Sequence, residues 1–231
     1  MFIPINDGNA MRYLPFQYVT VALIAANIFI FLVFQSGLVF DAARATAFGY
    51  GMIPAVYNDL RVLPPGIDGA SPLLTLVTYQ FLHGSWMHLI SNMLFLWVFG
   101  DNVEDALGHL RFLVFYLLCG IAAGMVHGFM VPASEMPLVG ASGAIAGIVA
   151  AYLMLHPHVR IWVLALGRLP LRLPAWIVLG IWIVVQIVSV AIASPDDEVA
   201  WWAHIGGLVA GAVLIVFMKR RGVPLFDRGL A

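Results

Sequence analysis

Long stretches without a charged side chain dominate this sequence. They run Tyr13–Phe40, Gly69–Gly100, Phe112–Ser134, Met136–Val159, Leu173–Pro195 and Val199–Met218. Roughly 20 apolar residues cross a bilayer as a helix, so each window can hold one span. The expectation is an all-α polytopic membrane protein with six transmembrane helices.

Composition agrees. Of 231 residues, 62% are hydrophobic and 10% charged, with a mean hydropathy of +0.97. A soluble domain carries about a quarter charged residues. The net charge of -1 and the lack of a basic patch exclude a nucleic-acid footprint. Cys119 is the single cysteine, so no intrachain disulfide forms, and it reads as a small apolar packing residue. The N-terminus does not read as a secretory signal: its apolar run is too long and only Arg12 precedes it. The whole chain, 1–231, is expected to be one transmembrane domain, with a core at about 13–218 and a short tail at 219–231.

Within the second window the helix is placed from about Trp86 to Gly100, short enough to suit a helix packed inside the bundle. Arg168 and Pro170 interrupt 160–172, which reads as an interfacial loop. Lysine and arginine set the orientation. Arg160, Arg168 and Arg172 follow the fourth window and Lys219, Arg220 and Arg221 the sixth, so both regions and both termini are expected inside. The long connection from Asp41 to about Ser85 carries Phe48, Tyr50, Ile53, Val56 and Tyr57, which favour packing at the outer interface.

A few polar residues interrupt the apolar windows. Ionisable and polar groups are costly in lipid, so each is a functional-site candidate. Under this topology the second, fourth and sixth helices all enter from the outer side. His88 lies in the first turn of the second, Ser142 near the start of the fourth, and His204 in the first turns of the sixth. The three share one depth. His88 and Asn92 are spaced i, i+4 and share a face. Gly207-x-x-x-Gly211 is a small-xxx-small pattern that lets helices approach closely, and Gly140 and Gly143 flank Ser142.

A serine hydroxyl becomes a useful nucleophile when a base takes its proton. His204 is the candidate base. With no intramembrane Asp or Glu as third member, a Ser142–His204 dyad is expected, with the imidazole oriented by packing. His88, Asn92 and the backbone N–H of Ser142 are candidate donors to an oxyanion. His83 reads as structural, and Asn27, Gln35 and Gln186 as interhelical hydrogen-bonding residues. No H-E-x-x-H motif and no pair of intramembrane aspartates is present, so neither metal nor other cofactor is expected.

These motifs resemble those of the rhomboid family of intramembrane serine proteases. Gly140-Ala141-Ser142-Gly143 matches its G-x-S-G, and His88-x-x-x-Asn92 its H-x-x-x-N. Ala203-His204-x-Gly206-Gly207-x-x-x-Gly211 matches its last-helix motif. Phe81-Leu82-His83-Gly84 and Phe99-Gly100-Asp101-Asn102-Val103-Glu104 resemble bacterial members. The likeness covers about residues 70–220. It implies a six-helix bundle with a water-filled cavity open to the outer face. It also implies Ser142 as nucleophile, His204 as base, and His88 and Asn92 on the oxyanion side. The implied partners are transmembrane protein substrates cut near their outer ends, and the lipid bilayer; a bacterial cytoplasmic membrane is the expected location.

Two departures stand out. Arg44 and Arg61 have no adjacent Trp, where some members carry a Trp-Arg pair in the first outer loop. Some members place a Tyr one turn after the serine, stacked on the imidazole; here that residue is Ala146.

Two other functions compete. A catalytically dead relative that holds membrane clients would usually lack the serine or the histidine, and both are present. A small transporter would place charged residues or broken helices at mid-depth, and the charges here lie near the window boundaries.

Overall fold

The computed structural model describes residues 2–165, 167–192 and 199–227. In chain order the elements are β1 (Phe2–Asn6), α1 (Tyr18–Ile30), α2 (Ala43–Tyr50), α3 (Pro54–Tyr57) and α4 (Pro72–Thr78). Then follow α5 (Trp86–Leu107), α6 (His109–Met130), α7 (Ser142–Leu155), β2 (Arg160–Ala165), β3 (Leu169–Pro174), α8 (Ala175–Ile192) and α9 (Trp201–Met218). A π-helical turn, Phe31–Gln35, continues α1, and a 3-10 turn, Tyr79–Phe81, ends α4.

The protein is a mostly helical membrane protein. Among the described residues, four helical segments are long and apolar enough to cross a membrane: Tyr18–Gln35, His109–Met130, Ala175–Ile192 and Trp201–Met218. The other two long helices differ from that pattern. α7 is apolar but 14 residues long and almost wholly buried, and α5 holds Asp101, Glu104 and Asp105 in its last turns.

α6, α7 and α9 form the centre. Glycine makes the α7–α9 contact possible. A Cβ on Gly207 would overlap the Gly143 carbonyl oxygen, and one on Gly211 would overlap the Gly147 backbone. Gly147 in turn receives the Cys119 side chain from α6, which is fully buried. Around this centre Phe99, Phe112, Phe115, Tyr116, Ile148 and Tyr152 form a core with no exposed surface.

α5 is longer than its expected limit at Gly100. It continues to Leu107 because its acidic residues have work as hydrogen-bond acceptors. Glu104, fully buried, accepts from the N–H groups of Val19 (3.0 Å) and Thr20 (2.8 Å), and from the Thr20 hydroxyl (2.7 Å). These are first-turn donors of α1, which have no partner within their own helix. Asp105 accepts from the N–H groups of Arg12, Tyr13 and Leu14 at 2.6–2.8 Å. The N-terminal segment is thereby tied to the end of the bundle opposite Ser142.

β2 and β3 form an antiparallel pair, a correction to the interfacial loop expected over 160–172. β1 adds to the other edge of β2, giving the order β1-β2-β3. Ile161 and Val163 point into the core, while Arg160 and Trp162 are exposed. Gly167, between the two strands, has a φ of +69°, in the left-handed region where glycine is unstrained. Pro170 and Pro174 sit on β3, an edge strand, where a missing N–H is tolerated.

At the other end, the 41–85 connection carries the three short helices α2–α4 and packs onto the bundle. Met52 bridges to Leu138, and Met52, Leu76 and Tyr79 are buried against Ala123 and Ala203. The exposed pair Arg61–Glu135 (2.7 Å) joins this connection to the segment before α7.

Candidate active site

Ser142 is the first residue of α7. The turn that delivers it is held by Gly140, whose φ of +126° suits a residue without Cβ and whose N–H donates to the Tyr79 carbonyl (2.9 Å). Tyr79 is anchored by its hydroxyl, which donates to the Gly120 carbonyl (2.6 Å). At a helix start the first N–H groups have no carbonyl one turn earlier. The N–H of Ser142 therefore lies at the positive end of α7, beside its own hydroxyl.

His204 enters from the first turn of α9 and is 8% exposed. Its Nε2 is 2.8 Å from Ser142 Oγ. Close passage of α9 over Gly143 sets this distance, because Gly207 lies three residues beyond His204 on the contact face. The other ring nitrogen, Nδ1, is 2.7 Å from Gln186 Oε1 on α8. Two indole rings flank the imidazole. Trp201 meets it edge-on at 5.9 Å between centroids, and Trp182 lies tilted at 6.1 Å.

His88 lies in the first turn of α5, which Ser85 caps by accepting from the His88 N–H (3.2 Å). The His88 ring packs against Gly140, where a Cβ would come within 2.7 Å of Cε1 and Nε2. Its Nδ1 faces the Gly84 N–H at 3.5 Å, so Nε2 is the nitrogen turned toward the Gly140–Ser142 segment. Asn92 is buried, and its amide nitrogen donates to the His88 carbonyl (3.0 Å), one turn back on the same helix. Ser142, His204 and His88 are thus brought to one end of the bundle, with Asn92 one turn deeper on α5. Among the other polar residues, Gln35 accepts from the His83 backbone N–H (2.9 Å) and Asn27 bonds back to the Leu23 carbonyl (2.8 Å).

The imidazole's surroundings go beyond the sequence reading in two respects. Ala146 is fully buried where α7 and α9 meet, and its Cβ would lie 3.3 Å from one on Gly207. That seam has no room for a ring, and the indoles of Trp182 and Trp201 flank the imidazole instead. The Gln186 amide oxygen faces Nδ1, a contact that spacing within α8 alone does not reveal. Among the described residues no group of three His, Cys, Asp or Glu side chains is placed to hold a metal ion.

A bundle of apolar helices with a serine hydroxyl against an imidazole at one end defines the class: a mostly helical membrane protein. The model of the family described as Rhomboid domain matches residues 70–221, and this chain belongs to that family.

Among curated relatives, Rhomboid-like protein 11, chloroplastic, of Arabidopsis thaliana is 29% identical over 155 residues, 62% of this chain and 52% of the relative. Rhomboid protein 1, mitochondrial, of Saccharomyces cerevisiae is 26% identical over 180 residues, 74% of this chain and 49% of the relative. Rhomboid-like protease 5 of Toxoplasma gondii is 27% identical over 182 residues, 75% of this chain and 19% of the relative. The chain spans about half or less of the length of these relatives. The compartments in their names are the chloroplast and the mitochondrion, which lend no support to the expected bacterial cytoplasmic membrane.

Proposed function

We propose that this protein is an intramembrane serine endopeptidase that cleaves transmembrane substrates through a Ser142–His204 dyad. The observation that carries the reading is the 2.8 Å approach of His204 Nε2 to Ser142 Oγ, within a fold belonging to the rhomboid family. One relative bears the name protease.

Ser142 Oγ attacks the scissile carbonyl carbon while His204 Nε2 takes its proton. The carbonyl π electrons move to oxygen. The resulting oxyanion is met by the Ser142 N–H at the α7 N-terminus, with His88 Nε2 and the second Asn92 amide hydrogen as further donors. Removing one such donor costs about 10²–10³ in rate. Collapse breaks the C–N bond, and the proton on His204 goes to the leaving amine. Water, deprotonated by the same imidazole, then hydrolyses the acyl ester and restores Ser142. The chain 1–231 acts as one transmembrane domain in this account, and neither metal nor cofactor takes part.

Labelling of the purified protein by a fluorophosphonate tests the dyad. Wild type is expected to label, and Ser142→Ala and His204→Ala to remain unlabelled. Normal labelling of His204→Ala would mean that another base serves Ser142. A protein that folds and never labels would favour the alternative reading, a client-binding relative without catalysis.

A further inference from the structure

The hydrogen bonds of Gln186 fix which imidazole nitrogen of His204 carries the proton. Gln186 lies midway along α8 and is 4% exposed. Among the described residues its amide has two hydrogen-bond partners. Nε2 is 3.1 Å from the Trp182 carbonyl one turn earlier, and Oε1 is 2.7 Å from His204 Nδ1. A carbonyl can only accept, so the amide NH₂ must face Trp182. The amide oxygen is then what faces the imidazole, and it too can only accept. Nδ1 must therefore carry the hydrogen. In a neutral imidazole with Nδ1–H, Nε2 holds a bare lone pair. That nitrogen lies 2.8 Å from Ser142 Oγ and accepts the serine proton.

From this we infer that Gln186 is the positioning residue of the site, holding His204 in the one tautomer that can act as base toward Ser142. The inference rests on the hydrolase reading above and supplies the orienting group that a two-residue dyad lacks. The chain of contacts is directional: Ser142 hydroxyl, His204 imidazole, Gln186 amide, Trp182 carbonyl, each donating to the next. It also joins three helices, since Trp182 and Gln186 belong to α8, His204 to α9 and Ser142 to α7. Being uncharged, Gln186 fills this role without an ion in the apolar interior, where an unpaired carboxylate is costly. Trp182 adds to the arrangement twice, through its carbonyl to the amide and its indole beside the imidazole.

The test combines kinetics with the protonation pattern of the ring. In ¹⁵N-histidine NMR of the detergent-solubilised protein, His204 (assigned by loss of its signal in His204→Ala) is expected to show protonated Nδ1 and bare Nε2. In Gln186→Met, which keeps the length but has no amide, that signal should become a mixture of tautomers. Its kcat on a reporter transmembrane substrate should fall between about tenfold and a hundredfold, the scale of a misplaced catalytic group, with KM within about twofold. Gln186→Glu in its neutral form has an O–H to donate to the Trp182 carbonyl and an oxygen that accepts from Nδ1, so it should keep the Nδ1–H signal and most of kcat.

Protonated Nε2 in the wild type would overturn the inference whether or not any variant folds. So would a folded Gln186→Met with wild-type kcat and an unchanged tautomer. Ser142→Ala in parallel separates the two readings. If wild type and Ser142→Ala are equally inert while the Nδ1–H tautomer depends on Gln186, the positioning stands and the protease reading fails.

Discussion

Gly207 of α9 faces the carbonyl of Gly143 of α7 so closely that even one added carbon at Gly207 would overlap its oxygen. Gly143 follows the serine and Gly207 lies three residues after the histidine, so the helix seam and the hydroxyl–imidazole contact are one construction.

Gly207→Ala should therefore separate α9 from α7 and lengthen the Ser142–His204 contact. Overpacking of a tight interior costs about 1–3 kcal/mol. The expected result is a lower Tm in detergent together with lost phosphonate labelling. Gly180 on α8 provides the contrast, because a Cβ there meets nothing within 4 Å. Gly180→Ala should leave activity intact and raise stability by about 0.5–1 kcal/mol, the ordinary helical gain over glycine. Equal behaviour of the two variants would refute the packing account.

Asp105 gathers three backbone N–H groups from residues 12–14. Hydrogen bonds to a charged acceptor are worth about 1.5–3 kcal/mol. Asp105→Ala should lower stability by at least about 2 kcal/mol and speed proteolysis within residues 1–17. The Ser142 site lies at the far end of the bundle, so labelling of the folded fraction should persist. Unchanged proteolysis would show that the N-terminal segment is held by other contacts.

Asp7, which precedes α1, accepts from the buried Tyr152 hydroxyl at 2.7 Å. Burial raises its carboxyl above the ordinary value of 3.8, outweighing that hydrogen bond. Between 3.8 and the raised value the folded state holds a proton that the unfolded chain has released. Stability contributed by Asp7 is thus present at low pH and declines as pH rises through that interval. Asp7→Asn keeps an acceptor for Tyr152 and cannot ionise. Its Tm should gain on wild type as pH is raised from about 3.5 toward neutrality. A wild type that gains on Asp7→Asn over the same range would reverse the sign and refute the assignment.

The helices were legible because lipid leaves few options: charge-free windows locate α1, α6, α8 and α9, with ends shifted by a few residues. Ser142, His204 and His88 were legible because polar groups stand out in such windows. The C-terminal extension of α5 was not, since Glu104 and Asp105 look like boundary charges until the N-terminal amides they bind are in view. The β2–β3 pair was hidden by its arginines and prolines, although Arg160-Ile161-Trp162-Val163 alternates as a strand does. The pairing of β1 with β2 joins residues more than 150 positions apart and has no local signal. Gln186 was visible as a buried-type polar residue, but its partner lies on another helix, and only packing selects it.

The most direct measurement is cleavage of a reporter transmembrane segment by the purified protein in liposomes, with wild type, Ser142→Ala and His204→Ala side by side. The account predicts a cut product from wild type alone, with both variants folded and inert. Cleavage retained by folded Ser142→Ala would contradict the account at its centre, because the hydroxyl that His204 faces would then not be the nucleophile.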